Sequence, residues 1–146
     1  VAREVPKALE RADVACTVTS AKAPFVRGEW LPPGLHLNLV GSAIPTTAEV
    51  DDDCVARGRF FVDYLEAARD AAGELLSAIR NGVVGEAHVA GEIGEVLLGR
   101  VPGRRSDAEI TIYKSLGVTT QDLAAAHLAW REARTRGLGQ PLELDR

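Results

Sequence analysis

The segment over residues 109–126 constrains the fold of this chain more than any other. Its β-branched run, residues 110–113, predicts a strand, and the small and polar residues 114–117 predict a turn directly after it. A helix start follows at once, for which Thr119 or Thr120 is the predicted N-cap. A strand, a turn and a helix start together bring backbone N–H groups and a hydroxyl to the carboxyl end of a strand, where α/β sheets bind ligands. The segment therefore predicts an α/β sheet with a ligand site at its carboxyl edge.

Three further stretches predict strands that precede this segment: residues 14–19, 35–40 and 59–64. The first of them is almost wholly apolar or β-branched, which is typical of a strand buried on both faces, so Cys16 is predicted to be a buried thiol. Apolar periodicity or capping residues predict helices over residues 5–11, 51–57, 65–81, 88–99 and 119–136. Strands that alternate with helices predict an α/β fold with a parallel sheet.

Composition excludes several classes of function. The 146 residues carry a net charge of −4 at pH 7 and a pI of about 5.4, so the chain lacks the basic surface that nucleic acid or an anionic membrane requires. No apolar run approaches the roughly 18 residues of a membrane-spanning helix. The N-terminal stretch has no apolar signal core, and two cysteines do not make a disulfide framework. We therefore expect a cytoplasmic protein with no nucleic-acid or membrane partner.

Six segments of the chain resemble, in sequence and in order, the motifs of one protein family. Residues 109–126, EITIYKSLGVTTQDLAAA, resemble the closing motif of the ornithine cyclodeaminase/mu-crystallin family, which reads close to ITxFKSxGxAxxDLAAA. The other five segments are residues 12–20, 28–34, 36–41, 72–75 and 91–104. On these motifs the chain is identified as a member of that family, and it resembles the C-terminal part only.

The resemblance implies an NAD(P)-dependent oxidoreductase that acts on an amino acid or a cyclic imine. It implies a Rossmann domain, a second domain for dimerisation and substrate, and a homodimer or higher homo-oligomer. The expected fold class is α/β, namely the C-terminal half of a Rossmann-type doubly wound parallel sheet plus a returning C-terminal helix. Residues 1–118 would form a partial NAD(P)-binding Rossmann-like domain, and residues 119–146 would form the helix that returns toward the dimerisation and substrate domain.

The resemblance also assigns roles to residues at three predicted strand ends. The family's contacts to NAD or NADP correspond to Val18, Thr19, Ser20, Val40, Gly41, Ser42 and Ser115, and its substrate side corresponds to Leu116. The residues alone favour a structural role for Ser115, as a hydroxyl that hydrogen-bonds within a strand-to-helix turn. The resemblance instead favours a contact between Ser115 and the cofactor. Lys114 beside it could neutralise a phosphate, but a solvated lysine at a strand end is the preferred interpretation.

The chain departs from the family pattern at its cofactor loop and at its catalytic position. No glycine-rich GxGxxG or GxGxxA turn occurs, so the loop that approaches the pyrophosphate is missing, as is the residue that distinguishes NAD from NADP. Ala43 occupies the position of the family's proton-transferring aspartate, and alanine cannot exchange protons. Thr47 stands where a lysine near the cofactor is common. We therefore assign no catalytic residue and expect a ketimine reductase or amino-acid dehydrogenase rather than a true ornithine cyclodeaminase.

Two groups of residues have the composition of a metal site. His88, Glu92 and Glu95 would lie about one turn apart on a predicted helix, a spacing that can chelate a metal, but a polar outer stripe is the preferred interpretation. The acidic run 51–53 fits the capping of a helix N-terminus better than the binding of a cation. We therefore predict no metal site.

Two hypotheses for function stay open at this point. The first is part of an NAD(P)-dependent oxidoreductase whose upstream half is absent from this chain. The second is a non-catalytic, truncated family member that acts as a structural or oligomeric interaction module through an exposed sheet edge. The missing glycine-rich turn keeps the second hypothesis open. Under either hypothesis, the residues of this chain do not identify the substrate.

Overall fold

A sheet of five parallel strands organises the computed structural model, which describes residues 2–140 and residue 142. The strands are β1 (Val14–Thr17), β2 (His36–Leu39), β3 (Arg59–Val62), β4 (Val89–Glu92) and β5 (Thr111–Lys114). Their order across the sheet is β1-β2-β5-β3-β4, so the last strand in sequence is the central one. Every pairing between neighbours is parallel, which confirms the predicted α/β fold with a parallel sheet.

Six α-helices accompany these strands within the described part of the chain. They are α1 (Val5–Leu9), α2 (Asp52–Arg57), α3 (Leu65–Ala71), α4 (Gly73–Arg80), α5 (Ile93–Leu97) and α6 (Thr119–Arg136). The chain forms two compact units, Val1–Leu116 with the sheet and Gly117–Arg146 with α6. Residues 1, 141 and 143–146, at the ends of the two predicted domains, lie outside the described residues. None of the helices that the structure describes is long and apolar enough to cross a membrane.

Helices α2, α3 and α4 form the core of the first unit with one face of the sheet. Successive strand residues point to opposite faces, so alternate residues of each strand reach this core. The strand residues that lie there without solvent exposure include Leu37, Leu39, Phe60, Val62 and Ile112. The helices add Cys54, Val55, Ala68, Leu75 and Ala78. Each large apolar side chain buried in this way contributes about 1.5–3 kcal/mol, so this face is the main source of stability in the first unit.

Strand β1 is less buried than its sequence predicts. Among the described residues it pairs with β2 only, and both Val14 (59% exposed) and Cys16 are open to solvent. The two side chains lie on the face opposite the core, where Asn38 and Tyr113 of the neighbouring strands are also only half-buried. The prediction of a strand buried on both faces, with a buried Cys16 thiol, is therefore wrong. Apolar composition does not distinguish an edge strand from an interior one.

The helix predicted over residues 65–81 is two helices, α3 and α4, which meet at Ala72 (φ −76°, ψ 85°). Gly73 begins α4 and packs so closely on the loop between β2 and α2 that an added Cβ would lie 1.9 Å from the Thr47 carbonyl oxygen. The break orients α4 so that the Glu74 carboxylate accepts a backbone N–H of the same loop at 3.1 Å. The helical period of the sequence thus continues across a point where tertiary contacts redirect the chain.

Residues 88–99 do not form the predicted helix. Val89–Glu92 is strand β4, which pairs in parallel with β3, and the helix α5 covers only Ile93–Leu97. Gly91 has a φ of +154°, which helices do not contain and which L side chains rarely adopt. The apolar spacing of this stretch matches a helix, but pairing at the sheet edge overrides it and gives the sheet a strand that the sequence did not predict.

Helix α6 has the predicted bounds and ends at Gly137 in the left-handed conformation (φ 64°). Its start differs from the prediction, because Thr119 and Thr120 are already helical and Val118 is the N-cap without a side-chain cap. Every residue of α6 is described, and none of them is buried.

Gly73→Ala is expected to destabilise the chain by about 1–3 kcal/mol or more, because the added methyl group meets backbone atoms that cannot rotate away. The matched control is Gly94→Ala in α5, where an added Cβ meets no atom within 4 Å. This control is expected to change the free energy of unfolding by less than about 1 kcal/mol. Chemical denaturation of both variants measures the contrast. Equal stabilities would contradict the close packing of α4 on the loop.

Candidate functional site

The loops that follow β1, β2 and β5 lie side by side at the carboxyl edge of the sheet. The last residues of these strands, Thr17, Leu39 and Lys114, are register partners in neighbouring strands. The pairing continues beyond the strands, since Val40 N donates to the Thr17 carbonyl oxygen at 3.0 Å. Ser115 N likewise donates to the Leu39 carbonyl oxygen at 2.9 Å. The structure therefore brings together the predicted site residues, which lie at positions 18–20, 40–42 and 115–116.

The predicted contact residues differ in exposure. Val18 and Val40 are 70% and 41% exposed and offer apolar surface to a ligand. Ser42 is only 2% exposed, because its hydroxyl donates to the Thr47 carbonyl oxygen and also bonds the Thr47 hydroxyl, each at 2.7 Å. The Ser42 side chain is thus turned into the protein, whereas Val18, Thr19, Ser20 and Val40 are exposed at this edge.

A buried carboxylate that no sequence motif marked, Glu49, connects two of these loops. Its side chain has no solvent exposure. Oε1 accepts the Thr19 N–H and the Thr19 hydroxyl, both at 2.7 Å. Oε2 accepts the Thr17 hydroxyl at 2.6 Å and the Gly41 N–H at 2.9 Å. Burial by itself would raise the pKa of Glu49, but these hydrogen bonds to the ionised form hold its pKa below the ordinary value.

The loops after β1 and β2 approach so closely that only glycine fits at position 41. An added Cβ there would lie 2.2 Å from the Thr19 carbonyl oxygen and 2.4 Å from Glu49 Oε1. Gly41 therefore allows the contact between the two loops and the carboxylate. Close packing thus explains a glycine at a position that the family resemblance assigns to cofactor binding.

Lys114, at the end of the central strand, forms a buried ion pair with Glu74 of α4. The Lys114 Nζ lies 3.4 Å from Glu74 Oε2, and neither side chain is exposed. Nζ also donates to the Ser42 carbonyl oxygen, and Glu74 Oε1 accepts the Glu49 N–H at 3.1 Å. The prediction of a solvated Lys114 is therefore wrong, because Lys114 shares the covered sheet face with Ile112 two residues earlier.

Asp63, which follows β3, holds the third loop. Its Oδ2 accepts the Leu116 N–H at 2.7 Å and the Ser115 hydroxyl at 3.3 Å. Because the Ser115 N–H donates to β2, the N–H groups of both residues are used within the protein rather than free for a ligand. The Ser115 hydroxyl can reach a ligand by exchanging its bond to Asp63.

The other two loops also turn their backbone donors inward. The N–H groups of Thr19 and Gly41 bond Glu49, and that of Val40 bonds β1. A phosphate site needs several N–H groups that point at the anion. The three N–H groups named here are therefore not available to a phosphate, and the exposed valines suit a flat, uncharged part of a ligand.

The residues weighed as a metal site do not come together. His88, Glu92 and Glu95 have separate partners: the Val55 carbonyl oxygen at 2.7 Å, the Leu65 N–H at 2.8 Å and the Arg100 guanidinium at 3.1 Å. Because Glu92 ends a strand, the predicted helical stripe is wrong. In the described ranges, no group of three or more His, Cys, Asp or Glu side chains is placed to hold a metal ion. Asp51 is the predicted helix cap, since it accepts the Cys54 N–H at 2.9 Å.

A parallel sheet whose neighbouring strands end in one cluster of loops defines an α/β domain of the kind that binds ligands at its carboxyl edge. Residues 1–136 match the model of the ornithine cyclodeaminase/mu-crystallin family. The chain belongs to this family.

Known relatives agree with this assignment. Alanine dehydrogenase from Archaeoglobus fulgidus is 37% identical over 136 residues, which are 93% of this chain and 42% of the relative. The structure of Thermococcus litoralis Δ1-pyrroline-2-carboxylate reductase in complex with NADH and L-proline is similar with a TM-score of 0.87 at 30% identity, over 97% of this chain and 44% of that one. The structure of an archaeal alanine dehydrogenase dimer with bound NAD has a TM-score of 0.81 at 35% identity, over 98% of this chain and 44% of that one. The chain thus spans less than half the length of these relatives.

Lys114→Met is expected to destabilise the chain by about 3–5 kcal/mol, because it leaves the Glu74 carboxylate buried without its partner. The double variant Lys114→Met, Glu74→Gln is expected to recover at least half of this loss, since it removes the second charge and keeps an acceptor for the Glu49 N–H. Denaturation of the wild type, both single variants and the double variant measures the coupling. Additive effects of the two substitutions would contradict a buried ion pair.

Proposed function

We propose that this chain is part of an NAD(P)-dependent oxidoreductase that reduces a cyclic imine or reversibly oxidises an amino acid. The observation that carries the proposal is the convergence of three loops at the carboxyl edge of three neighbouring strands, where α/β sheets bind ligands. Two similar structures contain NADH with L-proline and NAD, respectively, which supports this assignment. Because the chain spans less than half of those proteins, we assign the activity to a larger protein. Its free Cys16 and Cys54 fit a cytoplasmic location.

We assign the cofactor contacts to the three loops, and the substrate side to Leu116, which is half-buried beside them. The proposed contacts with NAD or NADP are Val18, Thr19, Ser20, Val40, Gly41, Ser42 and Ser115. The exposed valines fit an uncharged, flat part of the dinucleotide. The N–H groups of Thr19, Gly41 and Leu116 are used internally and are not available to the pyrophosphate, so we assign the pyrophosphate contact to a glycine-rich turn that this sequence does not contain. When bound, the reduced cofactor would donate a hydride to an imine, or the oxidised cofactor would accept one from an amino acid, while the protein orients the cofactor and shields it from water.

Ala43 argues against one reaction of the family, ornithine cyclodeamination. It lies exposed in the loop after β2 and carries no group that can move a proton. The family resemblance puts a proton-transferring aspartate at this position in cyclodeaminases and in several dehydrogenases, whereas some imine-reducing members lack it. We therefore propose imine reduction or amino-acid dehydrogenation rather than ornithine cyclodeamination.

We further propose that the protein is a homodimer or higher homo-oligomer. Residues 1–118 would form the partial NAD(P)-binding domain, and residues 119–146 would return toward a dimerisation and substrate domain. Helix α6 exposes Leu123, Leu128 and Trp130 to between 51% and 69%, and several large apolar side chains exposed on one helix indicate a packing partner. The similar archaeal alanine dehydrogenase is a dimer, which supports the same arrangement here.

One observation favours a second candidate function, a non-catalytic interaction module. Strand β1 is an open edge among the described residues, and its Val14 side chain is 59% exposed. An open edge can add a strand from another protein or from a second copy of the chain. Such a module would associate without binding NAD(P)H.

Titration of the nitrogen-15-labelled chain with NADH, followed by amide NMR spectra, separates the two candidates. The oxidoreductase proposal predicts shifts at residues 18–20, 40–42 and 115–116, with a dissociation constant between about 10 μM and 1 mM because the pyrophosphate loop is missing. No shift at about 1 mM NADH would contradict the cofactor edge and favour the interaction module. A constant below about 1 μM would contradict the conclusion that these loops bind only part of the dinucleotide.

A pair of valine variants tests where NADH binds. Val18→Asp is expected to raise the dissociation constant at least about fivefold, because it removes apolar contact and adds a charge at the proposed edge. Val83→Asp is the matched control, since Val83 is 46% exposed in the loop after α4, away from the three loops. The control is expected to bind NADH as the wild type does. Equal effects of the two variants would contradict the proposed position.

A further inference from the structure

We propose that Glu49 is a positioning residue of the cofactor edge, whose ionised carboxylate fixes the loops after β1 and β2 relative to each other. This inference rests on the proposed function, because it concerns the same loops. Glu49 itself lies below them with no solvent exposure, so it would act through Thr19 and Gly41 rather than touch the cofactor.

The carboxylate is matched to the two loops atom by atom. Each of its oxygens accepts one backbone N–H and one hydroxyl, so the carboxylate accepts four hydrogen bonds in all. Oε1 takes both donors of Thr19 in the first loop. Oε2 takes the Thr17 hydroxyl at the end of β1 and the Gly41 N–H in the second loop. One planar group therefore sets the separation and the orientation of two backbone segments that are about 20 residues apart in sequence.

The backbone of Glu49 is held from both sides. Its carbonyl oxygen accepts the Phe25 and Val26 N–H groups at 3.0 and 3.1 Å. Its own N–H donates to Glu74, which pairs with Lys114 at the end of β5. The carboxylate is thus fixed relative to the central strand, and all three loops of the candidate site are connected through this group and the ion pair.

Glutamine is an informative replacement because it keeps the volume of Glu49 and changes its hydrogen bonding. A hydroxyl can reverse its role and accept a hydrogen bond, whereas a backbone N–H can only donate. In either orientation the glutamine –NH₂ group must face the N–H of Thr19 or that of Gly41. One of the two loops is therefore released, while the core around the side chain stays filled.

The experiment compares Glu49→Gln with Glu109→Gln in the full chain. Glu109 is the matched control, because it also accepts several hydrogen bonds, from Arg105 N, Nε and Nη2, but lies before the amino end of β5. Amide hydrogen exchange at Thr19 and Gly41 and the dissociation constant of NADH are measured for both variants and the wild type. In Glu49→Gln, exchange at one of the two amides and the dissociation constant are each expected to rise about tenfold. In Glu109→Gln, neither is expected to change more than about twofold, even where the variant is less stable.

The two readouts separate failure of this inference from failure of the proposed function. A wild-type NADH response that Glu49→Gln leaves unchanged would overturn the positioning role alone, as would unchanged exchange at both amides. Absence of any NADH response in the wild type would overturn the proposed function and, with it, the cofactor role of Glu49. Should Glu49→Gln not fold, Thr17→Val removes one of the four donors at nearly constant volume. It is expected to raise the dissociation constant about threefold, and an unchanged constant would overturn the proposal.

Discussion

Lys114 lies on the covered face of the central strand without solvent exposure, where a charge costs several kcal/mol unless it is paired and hydrogen-bonded. The fold supplies both kinds of partner, the Glu74 carboxylate and the Ser42 carbonyl oxygen. To bring Glu74 to this position, the chain breaks between α3 and α4 at Ala72, and Gly73 then packs against the loop that follows β2. The helix break and the close packing of this loop therefore place the partners of one buried ammonium group.

The same cluster explains what the carboxyl edge can and cannot bind. Glu74 fixes the backbone of Glu49, and Glu49 draws the N–H groups of Thr19 and Gly41 inward. The edge is thereby preorganised, but these two backbone donors are already used, and its exposed apolar surface includes Val18 and Val40. In the proposed function, such an edge would contact an uncharged ring system and leave the anionic part of a dinucleotide to other residues. The glycine-rich turn that the sequence lacks would supply those donors.

The sequence predicts the elements in which local pattern and tertiary environment agree. The strand predicted over residues 35–40 forms because alternate apolar residues lie on the covered face of the sheet. The helix predicted over residues 119–136 forms with the predicted end because Gly137 caps it. The helix prediction for residues 88–99 is wrong because residues with a helical spacing of apolar side chains pair there with the edge of the sheet. The burial of Lys114 could be predicted from Ile112, because residues two apart on a strand point to the same face of the sheet. The role of Glu49 could not be predicted, because it lies in an irregular loop and its partners, Thr17 of β1 and Thr19 of the following loop, are 32 and 30 residues away in sequence.

The titration of Glu49 tests most directly whether its ionised carboxylate holds the loops after β1 and β2 together. Carbon-13 NMR of the Glu49 carboxylate against pH measures its pKa, and the amide signals of Thr19 and Gly41 report on the two loops in the same samples. The hydrogen bonds predict a pKa below the ordinary glutamate value of about 4.3, with both amide signals moving at the same midpoint. A midpoint at or above the ordinary value, or amide signals that do not follow it, would contradict the account.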